Sequence, residues 1–365
     1  MTRLDMSTIH EIPTPAVLAD RGRVAANIRA MQEVCTAHRV ELRPHIKTHK
    51  MVAVGRMQLA AGARGFTCAK LGEAEAMLPS GVERIFVAHS LVDPLQAPRV
   101  AALAERLGEL RVAATSAPQA EALARLARRA GRRLEVMLAV DTGLGREGVR
   151  SRDEAQSLAA QIARSPDLEL RGFYTHEGQL YGVPRAEQSA RCAAVVAQLA
   201  AVRDAIDPAL PIWPGCSVSA RRMAETGRVQ AVRPGSYVFG DLSLTQVSGV
   251  MAPGDEAIHV LATVIDLPEP GLALIDAGSK TLSGDKTPAG AHAASADGRD
   301  LTVVRVNEEH GYLRGADVPS LRIGDRLRLV PAHVCTVINL HDAVVVVEGE
   351  NVIDRWPVDA RGRVS

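Results

Sequence analysis

Aromatic side chains are scarce in this chain: two tryptophans, four tyrosines and four phenylalanines make up 3% of its 365 residues. A platform that stacks successive nucleic-acid bases is not what this composition builds. No excess of one charge exists either, with 43 Lys and Arg against 42 Asp and Glu and no basic block. Nucleic acid and anionic membrane are therefore not indicated as partners. The five cysteines (Cys35, Cys68, Cys192, Cys216, Cys335) are odd in number, widely spaced and free of any CxxC pair. They form no disulfide framework and fit a reducing cytoplasm. No apolar run reaches the roughly 18 residues of a membrane span, and residues 1–12 lack an apolar core of signal-peptide length. The expectation is a soluble cytoplasmic protein.

Hydrophobic residues, by contrast, supply 47% of the chain, enough for a large core in two domains or one large one. From Val40 to about Phe239 short apolar strands alternate with longer amphipathic stretches. The strand candidates are 41–46, 65–69, 84–89, 111–115, 134–140, 168–175, 212–216 and 232–238. Helical spacing marks 94–107, 118–130 and 186–206 between them, and 21–38 before them, after an extended 14–20. Eight βα units in series predict an α/β fold with an N-terminal (β/α)8 TIM-like barrel; a doubly wound open sheet is the alternative that periodicity leaves open. Beyond about residue 250 the runs are short and strand-like (259–266, 272–276, 301–306, 326–330, 343–347), with 289–299 a loop and no convincing helix. This predicts a barrel over 12–250 and a mostly antiparallel C-terminal β domain over 251–365, with residues 1–11 packed on the latter.

The densest chemistry lies in Arg43-Pro44-His45-Ile46-Lys47-Thr48-His49-Lys50. Lys47 ends the first barrel strand, where barrels place active-site groups. A partly desolvated lysine there favours its neutral amine and Schiff-base chemistry. A basic surface loop is the plain alternative. Asp141-Thr142-Gly143-Leu144-Gly145-Arg146-Glu147-Gly148 follows the fifth strand, and its glycines allow tight turning or simply ordinary loop geometry. Tyr174 and His176 alternate at the end of the sixth strand and share one face, as pocket lining or as satisfied core. Gly215, Cys216 and Ser217 precede a short helix after strand seven, and Gly235, Ser236 and Tyr237 follow strand eight. That is where barrels often bind phosphate, although Ser217 or Ser219 serves equally as a helix cap. His333 and Cys335, two apart, point the same way on an extended segment. Imidazole plus thiolate suits a borderline-soft divalent metal, zinc before manganese or magnesium, with water and substrate filling the remaining positions. A structural His with a buried Cys is the alternative. His89, His310 and His341 have weaker claims.

These motifs, with Ile12-Pro13-Thr14-Pro15, Gly62-Ala63, Glu73-Ala74-Glu75, Tyr174-Thr175-His176-Glu177-Gly178, Arg233-Pro234-Gly235-Ser236-Tyr237, Asp276-Ala277-Gly278-Ser279-Lys280, Glu308-Glu309-His310-Gly311, Pro331-Ala332-His333-Val334-Cys335 and Ala360-Arg361-Gly362-Arg363, run nearly end to end. Together they resemble the D-serine dehydratase / D-threonine aldolase family of fold-type III pyridoxal-phosphate enzymes, relatives of the alanine racemases. The resemblance implies that Lys47, not Lys50, carries pyridoxal 5'-phosphate. It implies that Arg146 holds the ring's 3-oxygen, that His45, Tyr174 and His176 line the pocket, and that Gly215, Cys216, Ser217, Gly235, Ser236 and Tyr237 surround the phosphate. Gly-Cys-Ser stands where relatives are richer in Ser and Thr, which leaves the hydroxyl contact open. His333 and Cys335 correspond to the metal pair of the dehydratase branch; the aldolase branch carries Asp at the cysteine position and a His near Leu180.

The implied reaction is metal-assisted β-elimination from a D-3-hydroxy amino acid, giving a 2-oxo acid and ammonia. D-Serine is the first expected substrate; D-threonine and D-threo-3-hydroxyaspartate are alternatives. Retro-aldol cleavage to glycine and an aldehyde comes second, a racemase or epimerase third, and a non-catalytic cofactor carrier is the reading outside enzymes. A homodimer is expected by the same resemblance.

Overall fold

The computed structural model describes residues 7–365. They form two compact units interleaved along the chain: one holds residues 29–47, 54–235 and 363–365, the other those up to Ile28, 48–53 and 236–362.

In the first unit, parallel strands Phe66–Cys68, Arg84–Val87, Glu109–Ala114, Leu134–Ala139, Leu168–Tyr174 and Ile212–Trp213 pair in chain order. Strands Glu41–Leu42 and Ala231–Val232 pair with each other, Glu41 opposite Ala231. A parallel bridge from His45 to Thr67 joins the first of these strands to the sheet. The Gln230 N–H donates to the Ile212 carbonyl at 3.2 Å and joins the other end. The ring of parallel strands is thereby closed in the predicted order. Strands buried on both faces must be apolar almost throughout, which is why they were readable. Part of the small aromatic complement is spent inside: Phe86, Met137, Tyr174 and Trp213 form one buried cluster with Ala113, Ala139 and Ala231. Phe86 meets Tyr174 edge-on at 4.9 Å, and the buried Arg43 guanidinium lies 4.2 Å from the Trp213 ring.

The helices around the ring follow the usual rules. Helix Arg152–Arg164 starts at Ser151, whose hydroxyl accepts from the Glu154 N–H at 3.1 Å, and it buries Ala155, Leu158, Ala159 and Ile162 at three- and four-residue spacing. No helix of the described residues is long and apolar enough to cross a membrane.

The second unit is a nine-stranded sheet in the order Leu272–Ile275, Gly311–Arg314, Thr302–Val306, Ala293–Ser295, Arg326–Pro331, Ile258–Glu269, Ala16–Asp20, Ala343–Glu348, Asn351–Pro357. Leu272–Ile275 also pairs with the twelve-residue strand Ile258–Glu269, which closes the first six strands into an antiparallel barrel. Only Ala16–Asp20 with Ala343–Glu348 is parallel.

Three expectations need correction here. The barrel unit does not run from 12 to 250. Ala16–Asp20 sits in the antiparallel sheet because its edges are taken by Ile258–Glu269 and Ala343–Glu348, and the other crossing falls after Gly235. The described part of the N-terminus, from Ser7, does pack on this sheet: Thr8 bridges Asn351, and Ile9 and Ile12 join Leu18, Leu261 and Val347 in one cluster. Residues 1–6 of the predicted 1–11 segment lie outside the described residues. Second, the eighth strand stops at Val232, since Pro234 has no N–H to continue the ladder; Ser236–Val238 is a 3-10 turn. Third, the β domain contains the helix Val334–Leu340 and a single turn, Ser279–Leu282.

Candidate functional site

Lys47 lies in the turn just past the His45 bridge, at the C-terminal end of the barrel strands. Its backbone N–H approaches His45 Nδ1 at 3.4 Å. Burial lowers the His45 pKa well below its usual value, followed by the charge of Lys47. The same ammonium acts on His176 and on Cys216. Lys50 is committed elsewhere: its Nζ donates to Asn339 Oδ1 at 2.8 Å within the β unit. The structure thus separates the two lysines, and among the described residues no side-chain acceptor engages Lys47 Nζ.

Around Lys47 the barrel gathers the expected residues. Tyr174 and His176 line one small cavity with Asp141, Leu144, Arg146, Glu147 and Thr175. The Tyr174 hydroxyl is buried with no hydrogen-bond partner among the described residues, and burial pushes its pKa up. A buried hydroxyl without a partner is costly unless a bound group meets it. His176 Nδ1 lies 2.7 Å from the Gly215 carbonyl, so Nδ1 carries the proton and Nε2 keeps a lone pair. Burial, then Lys47, lowers this imidazole to about 3, so it is neutral at ordinary pH.

The loop 214–219 is held by one acidic and one basic residue that sequence reasoning passed over. Glu177 is fully buried, accepts from the Gly215 N–H at 3.1 Å and from the Ser219 hydroxyl at 2.5 Å. Gly215 is therefore gripped at its N–H by Glu177 and at its carbonyl by His176. Arg233 packs beneath it: a Cβ on Gly215 would fall 2.7 Å from the guanidinium. Arg233 itself donates to the Thr175 carbonyl at 2.5 Å and the Trp213 carbonyl at 3.3 Å. Glu177 adjoins a singled-out histidine, and Arg233 opens a quoted motif; neither adjacency reveals a buried role. Cys216 is packed inward, its thiol pushed up to about 12 by burial and hydrogen-bonded to the Tyr181 side chain and the Val218 backbone. Ser217 Oγ accepts from the Gly235 N–H at 3.1 Å. Both serine hydroxyls of the loop thus shape the loop itself. Ser236 and Tyr237 are buried in the turn that belongs to the β unit.

The arrangement fits an anionic aromatic aldehyde cofactor on Lys47. Cationic Lys47, Arg146 and Arg233 face the site, a buried hydroxyl awaits an acceptor, and a neutral imidazole presents a lone pair.

His333 and Cys335 belong to the β unit, but not to an extended segment as expected. His333 is the N-cap of helix Val334–Leu340 and Cys335 lies in its first turn. The helix forms because Asp241, buried and distant in sequence, accepts from the Val334 N–H at 3.0 Å. The two side chains still converge: their mutual hydrogen bond is the largest cause of a His333 pKa raised to about 9. Thr48 Oγ1 lies 3.1 Å from Cys335 Sγ, and Asp285 Oδ2 lies 3.4 Å from His333 Nδ1. One nitrogen and one sulfur donor fit a borderline-soft divalent ion with two protein ligands. Among the described residues, no three His, Cys, Asp or Glu side chains cluster as a closed metal site. His89 contacts Lys70 at the barrel mouth. His341 Nε2 meets the Thr281 carbonyl at 3.2 Å.

A parallel-stranded barrel with a lysine at its mouth, in a chain with an antiparallel β barrel, defines the fold of the alanine-racemase-like pyridoxal-phosphate enzymes. Residues 19–243 match the alanine racemase N-terminal domain, and residues 257–347 match a putative serine dehydratase domain. The chain belongs to this family. It is 34% identical to D-threonine aldolase of Arthrobacter sp over 96% of this chain and 93% of that one. It is 32% identical to D-threo-3-hydroxyaspartate dehydratase of Delftia sp. (strain HT23), over 96% and 98%. A structure of a D-threo-3-hydroxyaspartate dehydratase mutant in the metal-free form overlays with a TM-score of 0.86 at 30% identity, covering 96% and 99%. D-threonine aldolase of Filomicrobium marinum overlays with a TM-score of 0.90 at 29% identity, covering 100% and 99%. The chain is a pyridoxal-phosphate-fold lyase of D-hydroxy amino acids.

Proposed function

We propose that this lyase catalyses β-elimination from a D-3-hydroxy amino acid, releasing a 2-oxo acid and ammonia. The observation that carries this choice is the His333–Cys335 pair, with sulfur where the resembling aldolase branch carries a carboxylate. Leu180, near which that branch carries a histidine, is buried at 3% exposure and offers no base. Pyridoxal phosphate on Lys47 would supply the electron sink for the negative charge at Cα. A zinc-like ion on His333 and Cys335 would supply Lewis acidity toward a β-hydroxyl leaving group.

The chain's own residues do the rest. The Lys47 side-chain amine takes the Cα proton. Arg146 holds an anionic oxygen with charge-assisted hydrogen bonds. The Tyr174 hydroxyl donates to a cofactor or substrate oxygen. His176, locked by Gly215, accepts at Nε2 without gaining charge. Glu177 and Arg233 keep the loop 214–219 in one shape, so it meets the phosphate without reorganisation.

The deciding experiment incubates the holoenzyme with D-serine, D-threonine and D-threo-3-hydroxyaspartate, with and without a chelator, and identifies products. Elimination predicts a 2-oxo acid plus ammonia, lost with the metal. Glycine plus an aldehyde, without 2-oxo acid, would replace it with retro-aldol cleavage. That second reading has the D-threonine aldolase of Arthrobacter sp in its favour.

A further inference from the structure

Thr48 follows Lys47 in the chain, yet it belongs to the β unit, as do residues 48–53. It is fully buried, and among the described residues its hydroxyl has one hydrogen-bond contact: Oγ1 lies 3.1 Å from Cys335 Sγ. Two residues on, Lys50 Nζ donates to Asn339 Oδ1 at 2.8 Å. Cys335 and Asn339 stand four apart in helix Val334–Leu340 and so share one face of it. Thr48 and Lys50 thus hold that face at two points one turn apart. The segment is itself held in place. The Ala360 N–H donates to the Lys50 carbonyl at 3.0 Å, the Val52 N–H to Asp359 Oδ2 at 2.7 Å, and the Met51 N–H to His49 Nδ1 at 3.0 Å. Lys50 has a φ of 53°, a left-handed backbone that a non-glycine residue keeps only where its surroundings impose it.

Packing alone does not call for a hydroxyl at this position, since valine fills the same space and needs no partner. The sulfur's chemistry does call for one. A metal-bound cysteine is a thiolate, which accepts and does not donate, so the Thr48 hydroxyl is the donor. A hydrogen bond to a ligand sulfur fixes its direction and draws electron density from it, which leaves a bound ion more Lewis acidic. We propose that Thr48 is a positioning residue for the sulfur ligand of the metal. Its hydroxyl donates to Cys335 Sγ, sets how strongly that sulfur gives electron density to the ion, and ties the ligand to the residue next in the chain, Lys47. This rests on the reading of His333 and Cys335 as a metal pair and adds to it the residue that tunes one of the two.

The test uses cobalt(II) as the probe, because a thiolate ligand gives it a sulfur-to-metal charge-transfer band in the near ultraviolet. Difference spectra of the holoenzyme with and without cobalt are compared for the wild type, Thr48→Val and Thr48→Ser. Without the hydrogen bond the sulfur gives up an electron more readily, so the band should move to longer wavelength in Thr48→Val. It should return toward the wild-type position in Thr48→Ser, which keeps the hydroxyl. A band unmoved in Thr48→Val would overturn the proposal and leave the metal pair standing. A wild type without the band, or a Cys335→Ala variant that keeps it, would remove the metal pair and the proposal with it. A second measurement needs no metal: denaturant melts of the metal-free protein in a double-mutant cycle. Thr48→Val should lower the midpoint when Cys335 is present and leave it unchanged in a Cys335→Ala background. Equal losses in both backgrounds would also overturn the proposal, because the hydroxyl would then not be bonded to the sulfur.

Discussion

His176 donates its Nδ1 proton to the carbonyl of Gly215 across 2.7 Å, while the next residue, Glu177, accepts the N–H of the same glycine. One dipeptide just past the sixth barrel strand, Leu168–Tyr174, thus fixes the two successive peptide groups that flank Gly215 in the loop after the seventh. Replacing Glu177 by Ala strands the buried Gly215 N–H and leaves the Ser219 hydroxyl only its 3.3 Å bond to the Cys216 carbonyl, and should cost about 1–3 kcal/mol of stability. Glu177→Gln, which still accepts, should cost less. The variant should also weaken binding of pyridoxal phosphate more than that of pyridoxal, read by absorbance titration. Equal weakening of both would show that the loop does not serve the phosphate.

Gly215 itself admits no side chain, because a Cβ would fall 2.7 Å from the Arg233 guanidinium and 2.8 Å from its Cβ. Arg233 cannot retreat without breaking its bonds to Thr175 and Trp213. Gly215→Ala should therefore destabilise by about 1–3 kcal/mol, the range of overpacking, as measured by denaturant melts. A neutral result would mean the loop has slack that this geometry lacks.

Stability should fall with acid through the buried imidazoles. His259 is lowered from 6.5 to about 4, burial being the main cause and Arg23 the next. Between those values the unfolded chain binds a proton that the native chain refuses, so stability drops as pH falls through that window and levels off below it. His259 accounts for about 3 kcal/mol of the drop, and His176, lowered to about 3, acts in the same sense. Denaturant melts of the apoprotein at several pH values should show this slope, shallower in His259→Gln. An identical slope in the variant would remove His259 from the account.

Asp241 caps the helix that carries Cys335 and also accepts from the Leu244 N–H at 3.1 Å. Asp241→Ala should cost about 1–2 kcal/mol as a lost cap. It should weaken zinc binding as well, since His333 and Cys335 stand at that helix start. Equilibrium dialysis with zinc and a thermal melt separate the two effects; full zinc affinity in a destabilised Asp241→Ala would confine the residue to folding.

Lys47→Ala should abolish the visible absorbance of bound pyridoxal phosphate while the far-ultraviolet spectrum stays native. Cys335→Ala should keep that absorbance and lose metal-dependent turnover. A visible band persisting in Lys47→Ala, but gone in Lys50→Ala, would reverse the assignment of the two lysines.

Much of the first unit was legible because its strands have no solvent face. Leu134–Ala139 and Leu168–Tyr174 are apolar runs bounded by helical stretches, and their ends fell within a residue or two of expectation. The β unit was less so. Ala293–Ser295 carries no β-branched or aromatic residue, and Asn351–Pro357 is mostly exposed; only pairing with a neighbour makes either a strand. Val334–Leu340 is rich in β-branched residues that favour extended chain, and it is helical because Asp241 caps it from far along the chain.

By itself the sequence determined the order of eight barrel strands, the lysine-bearing motif at the end of the first, and the His-x-Cys pair. Local pattern and residue chemistry suffice for those. The tertiary structure alone decided which lysine is spoken for, through Lys50 and Asn339, and where strand Ala16–Asp20 pairs. It alone showed that Glu177 and Arg233 hold the 214–219 loop. Hydrogen bonds and charges are satisfied by whatever the fold brings near, and no local window of sequence records who that neighbour is.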